Sequence, residues 1–248
     1  MNYDSICYNH SCLAQVIIRI DFLEYIDENR LLSPAVEKEV LDSFPRKGMR
    51  QLLRFQTMNF ASDKNGSRAE QTAREGIQQV FSDANDNKMI LSNQFIVLEI
   101  NSYTTFEDVI KTFVPAFKAL LKENQLTSMR TGIRYINFFN DDRIKPQKNY
   151  YSSSIGSLLD LKKGNEKCIR SMALDEYIIE DMHLNFRYGM YNPDYPQTIK
   201  KSNYVLDYDC FCDEAMEGFD NIMSHIQKGH DSIQKLFEES ITNQLRSL

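Results

Sequence analysis

The sequence predicts an α+β fold: two related antiparallel sheets, each packed against one long amphipathic helix in a helix-grip-like plan with a possible internal duplication. Three observations carry this expectation. Strand-like runs follow one another before each long helix, which favours an antiparallel α+β layout over an alternating parallel one. Two stretches, about 106–121 and 217–245, space their apolar residues by three or four, so each helix has one buried stripe. The succession of strands and then a long helix occurs twice, over 1–140 and over 153–248, with a polar, basic connector at 141–152.

The elements follow in order. Over 14–26, Val16, Ile18, Ile20 and Phe22 alternate with Arg19 and Asp21, the period of a strand. Ser33-Pro34 opens a helix as N-cap and first residue, Val36, Val40, Leu41 and Phe44 form its stripe, and Pro45 ends it. Leu53 and Phe55 alternate with Arg54 and Gln56 in a strand over 50–60, and the polar run 61–72 reads as a loop. Short strands are expected near 76–82, 87–92 and 94–101, with Asp83 to Asn87 turning between the first two. Thr104 or Thr105 caps the next helix, which Pro115 is expected to kink. A strand over 130–139, a short helix near 154–161, strands at 168–177, 180–191 and 203–212, and a final helix over 217–245 complete the chain.

Composition narrows the class. The 248 residues carry 29 basic and 35 acidic side chains, a net charge of −6, with 42% hydrophobic and 26% charged residues. Such a chain buries a core without staples and does not coat nucleic acid through bulk charge. It has no run of the ~20 apolar residues that a spanning helix needs, and membrane contact is not expected. Met1-Asn2-Tyr3-Asp4 lacks the basic and apolar regions of a signal peptide. Five sparse cysteines (Cys7, Cys12, Cys168, Cys210 and Cys212) read as reduced thiols of a cytoplasmic protein.

Motifs for chemistry are weak. Nine glycines form no phosphate-cradling loop, and Lys162-Lys163-Gly164-Asn165 lacks the upstream glycine. Cys7, His10 and Cys12, with Cys210-x-Cys212 far downstream, lack zinc-finger spacing, so no metal and no cofactor are expected. Asp83-x-Asn85-x-Asn87 starts like a calcium loop but lacks its glycine and terminal glutamate. No nucleophile elbow exists, and His225 and His230 have no evident catalytic partner. Two constellations stand out. His183, Asn185 and Arg187 share one face of their strand, and Asp207 and Asp209 share one face of the next; paired, they make either a self-balancing surface or a charged cleft with His183 as acid or base. Arg19, Arg54, Arg134 and Arg187 on strand faces offer planar forks for carboxylate or phosphate, and otherwise pair with acids such as Asp21 and Glu99.

The run Arg130 to Asn137, the stretch His230 to Thr242, Phe44-Pro45 and Arg54-Phe55 together resemble a sporadically distributed, uncharacterised prokaryotic protein family of about 250 residues. The most specific parts are Arg134-Tyr135-Ile136-Asn137 and Phe237-x-x-x-Ile241-Thr242. The resemblance implies a patchily occurring accessory or defence-type gene and transfers no site. The leading expectation is a non-enzymatic protein-interaction or sensor subunit of a multi-protein system, such as antiphage defence or toxin control. The alternatives are nucleic-acid or nucleotide binding through the arginines, and a hydrolase built on His183, Asp207 and Asp209. The sequence leaves the oligomeric state open.

Overall fold

A computed structural model describes residues 11–63, 66–140, 142–162, 168–201 and 203–248, with backbone alone for 55–63, 66–74 and 160–162. The first half contains β1 (Leu13–Phe22), α1 (Glu28–Leu31), α2 (Pro34–Ser43), β2 (Arg46–Lys47), β3 (Gln51–Asp63), β4 (Gly66–Ser82), β5 (Lys88–Ser92), β6 (Phe95–Ile100) and α3 (Phe106–Glu123). Then come β7 (Thr127–Phe139), α4 (Ser153–Gly156) between two 3₁₀ turns, β8 (Ser171–Ile179), β9 (Met182–Met190), β10 (Tyr204–Cys212), β11 (Met216–Glu217), α5 (Phe219–Ser240) and α6 (Asn243–Arg246).

The α+β antiparallel class holds, but the strands join one eleven-stranded sheet where two were expected. Its path is β2-β4-β5-β6-β1-β7-β10-β9-β8, with β3 pairing β4 and β11 pairing β7. The two halves fuse because β7 has two free edges. Along one it pairs with β1 (Ile18 opposite Ile133), and along the other with β10 (Cys210 opposite Ile133). The order is mirrored about the β1–β7 pair: β4-β5-β6 is a meander followed by α3, and β8-β9-β10 is a meander leading to α5.

Alternation decides which face is covered. Val16, Ile18, Ile20 and Phe22 of β1 are buried, as are Leu98, Ile133, Leu184, Leu206 and Tyr208 on neighbouring strands. Helix α5 lies on this face: Gly229 sits over Ile133, Met182 and Cys210, and the Phe237 ring meets Tyr208 edge-on. Helix α3 joins it through Phe106 stacked on His230 and Phe117 against Phe219. The opposite face carries Arg19, Arg130, Arg134, Asp207 and Asp209.

Local signals acted as read. The Ser33 hydroxyl accepts from the Val36 amide at 3.3 Å, and the Thr105 hydroxyl from the Asp108 amide at 3.1 Å, each satisfying a helix-start donor. Helix α3 runs through Pro115. The Asp83 carboxylate collects the Asn85 and Asn87 amides, closing the expected turn.

Three expectations are corrected. The polar run 61–72 belongs to the long β3–β4 ribbon, which pairs continuously from Gln51↔Gln78 to Asp63↔Gly66. Over most of its length this ribbon has no third strand among the described residues, and the run 61–72 carries no apolar alternation in sequence to mark it as strand. The final helix stops at Ser240: Ile241 turns extended and bridges to Tyr151, and the Thr242 amide donates to the Tyr150 carbonyl at 2.9 Å. The helix near 154–161 is one α-turn followed by a 3₁₀ turn. The connector residues Ile144, Tyr150 and Tyr151 are buried, with Tyr151 stacked on Tyr204 at 4.6 Å.

Candidate functional site

The helix-free face gathers most of the charged residues singled out above, because they share one strand parity. Asp207 is the centre. Arg134, on the adjacent β7, donates from Nε and Nη2 to its two carboxylate oxygens, both at 2.7 Å. Arg187, directly opposite on β9, approaches from the other side at 3.7 Å. The Asp207 side chain is only 8% exposed, and two guanidiniums flank it, the pairing that a buried acidic side chain calls for. The hydrogen bonds to Asp207 in turn raise the Arg134 pKa, holding it as a cation.

Asp209, two residues along β10, is held less tightly. Arg130 reaches it at 3.5 Å and also meets Asp213 at 3.4 Å. Burial pushes the Asp209 pKa up, and the Arg130 and Arg134 charges offset only part of that. Arg19 folds onto Asp21 of its own strand, with Nη2 to Oδ1 at 2.6 Å. Aromatic rings floor the ladder: Arg19 lies over Phe95 at 4.6 Å and Arg130 over Phe211 at 4.2 Å.

The face is concave. A cavity of about 340 Å³ is lined by residues from six strands, including Gln78 on β4, Phe95 on β6, Arg19 on β1, Arg130 and Arg134 on β7, and Asp209 on β10. In a flat sheet β4 and β10 would stand ~24 Å apart, at ~4.8 Å per strand. One small cavity touching both requires a curled sheet.

Arg19, Arg134, Arg187, Asp207 and Asp209 therefore meet on one surface, while two other candidates do not join them. Arg54 lies exposed on the β3–β4 ribbon opposite Glu75. His183 shares the face but stands opposite Phe211, stacked on its ring at 5.5 Å. Among the described residues it makes no hydrogen bond to Asp207 or Asp209. Arg130 was missed, although its spacing of four from Arg134 puts both on one strand face. Cys7 and His10, with Lys163, Gly164 and Asn165, lie outside the described residues. Among the described residues, no three His, Cys, Asp or Glu side chains gather as metal ligands.

A second cavity, of about 310 Å³, opens on the helix side between Cys12, Tyr135, Asn137 and the α5 residues His230 and Phe237. Its chemistry is that of a packed interior. The Tyr135 hydroxyl and His230 Nδ1 share a hydrogen bond at 2.9 Å, with the imidazole flat against Phe106. The Cys12 thiol points to the Asn137 side-chain oxygen at 3.5 Å, and burial pushes its pKa up to about 12, which removes thiolate character near neutral pH. Compared with known protein families, curated proteins and solved structures, the chain matches none. No described helix is long and apolar enough to cross a membrane.

Proposed function

We propose that the chain is a non-enzymatic protein-interaction subunit that receives its partner on the concave, helix-free sheet face. The observation that carries this reading is the neutralised ladder. Arg19, Arg130, Arg134 and Arg187 each face a carboxylate already in place, on Asp21, Asp209 or Asp207. A phosphate backbone gains most from unneutralised cations, which release its counterions. Alternating charges over aromatic rings instead match a partner's own mixed pattern, where complementarity supplies specificity. The occupied carboxylates and the separation of His183 from them weigh against a hydrolase built on these groups.

The mirrored strand order supports an internal duplication, each unit contributing one strand, a meander and a long helix. Its two curved units give the face its cradle shape. The resemblance read from the sequence supports an accessory multi-protein system, such as antiphage defence or toxin control, as the setting of this subunit.

The test is native mass spectrometry of the full chain isolated from native-level expression, beside the charge-reversed double variant Arg19→Glu, Arg187→Glu. Wild type is expected to carry a stoichiometric protein partner that the variant loses. Retention of nucleic acid that falls steeply with salt, or a partner held equally by both forms, overturns the reading.

A further inference from the structure

The mirrored sheet order leaves its two outer meanders unequal. At one end the outer edge of β4 is covered by β3 and β2. At the other end β8 holds the corresponding place, and among the described residues no strand pairs with its outer edge. Edge strands are commonly guarded by lysine, proline or a bulge. Strand β8 has none of these: Ser171–Ile179 lacks both residue types, and its pairing with β9 runs without a register shift. It also exposes large apolar side chains, Ile178 at 77%, Leu174 at 50% and Met172 at 38%. A bare edge with apolar flanks is a template for strand addition.

The sequence of this edge selects its occupant. Two copies of β8, each extended by one residue to Arg170 and paired antiparallel about a two-fold axis at Ala173, bring each Arg170, whose guanidinium lies over its own Tyr195 ring at 4.6 Å, opposite Glu176 of the other copy. The same register sets Met172 against Leu174, and Ser171 against Asp175. Every ionic side chain in the overlap meets an opposite charge or a hydroxyl, and the apolar pair repeats on both sides of the axis. A register centred on Asp175 or on Glu176 sets like charges face to face, and one centred on Leu174 leaves Arg170 against Ile178. The strand is thus complementary to itself in one alignment, as an isologous two-fold interface requires.

We infer that the chain forms a homodimer by antiparallel β8–β8 pairing centred on Ala173, continuing the sheet across two molecules. The pairing is made by the β8 backbone edge and not by the arginine–carboxylate ladder; Leu174 stands beside Arg187 on the same sheet face, but the variants below leave the ladder intact, so the two readings fail separately.

The test uses the purified full chain alone. Sedimentation equilibrium is expected to give a mass twice the 29.0 kDa of the chain, falling towards the monomer on dilution. Arg170→Glu and Glu176→Arg, each alone, oppose like charges twice per dimer and are expected to weaken association at least about tenfold. The double variant Arg170→Glu, Glu176→Arg restores the opposition of unlike charges and is expected to recover the dimer. Ala173→Cys is expected to give a covalent dimer under mild oxidation, because Cα atoms opposite each other across an antiparallel pair stand about 4.5–5.5 Å apart. Ile178→Cys, made in a Cys168→Ser background because position 178 of one copy stands opposite Cys168 of the other, is expected to give none. A monomeric wild type, single variants that associate like wild type, failure of the double variant to recover, or cross-linking at 178 in place of 173 each overturns the inference.

Discussion

The carboxylates on the concave face differ in environment although they lie two residues apart on one strand. Asp207 receives a bidentate clamp from Arg134, whereas Asp209 is desolvated with only longer-range help from Arg130. The raised pKa of Asp209 has a definite sign in the stability curve. A carboxyl with a higher pKa in the folded state binds its proton more readily there than in the unfolded chain. Its contribution is fully present below the unfolded value of about 3.9, and is lost as pH rises through the folded value. Asp209→Asn has no such proton to lose. Urea unfolding across a pH series is therefore expected to show wild-type stability, relative to Asp209→Asn, declining from about pH 4 upward until the folded carboxyl has ionised. A flat or rising difference contradicts the placement of Asp209. The face was legible in sequence as strand parity alone, and only in two pieces: Arg187, Asp207 and Asp209 fell on one common side, and Arg19 and Arg134 in a row assigned to the other sheet. Which acid takes which arginine depends on β7 lying beside β10, a contact between residues about 73 positions apart that no local pattern encodes.

At the level of elements, legibility followed burial. Helices α2 and α3 were readable from their caps because a hydroxyl must satisfy the first amides wherever the helix packs. The β3–β4 ribbon was half missed, since pairing beyond the main sheet leaves a strand free of the alternation that identifies strands. At Gly229 of α5, packing overrides helix propensity. A Cβ built there falls 2.8 Å from Ile133 Cγ2 and 3.4 Å from Met182 Cε, so the missing side chain lets α5 settle directly on the sheet. Alanine gains ~1 kcal/mol of helix propensity over glycine. Overpacking against a branched methyl that cannot rotate away costs about 1–3 kcal/mol. Gly229→Ala is expected to lower the urea midpoint, with a net loss of up to ~2 kcal/mol. A raised midpoint indicates that α5 stands further from β7 than described.

At the scale of the molecule, the sequence conveyed the repeated order of strands and helix but not the union of the halves. Repetition is visible along the chain because each meander and helix is local. Union depends on β7, whose two neighbours are drawn from opposite sides of it in sequence. A strand buried between β1 and β10, beneath α5, leaves no exposed seam along which one half can part from the other. Its Ile133 touches both partners in register and is 1% exposed. The consequence is thermodynamic: losing either half exposes apolar surface of the other, so the two should unfold as one unit. The chain has no tryptophan, which makes single reporters clean. Phe81→Trp reports on β4 and Phe186→Trp on β9, both buried positions at opposite flanks of the sheet. The urea midpoints of the two reporter proteins are expected to shift together when Leu98→Ala, a core truncation in β6 that costs about 2–5 kcal/mol, is added to each. A shift seen by the β4 reporter and not by the β9 reporter would mean that the sheet breaks between β7 and its neighbours, and that the halves fold as separate units in spite of their shared strands.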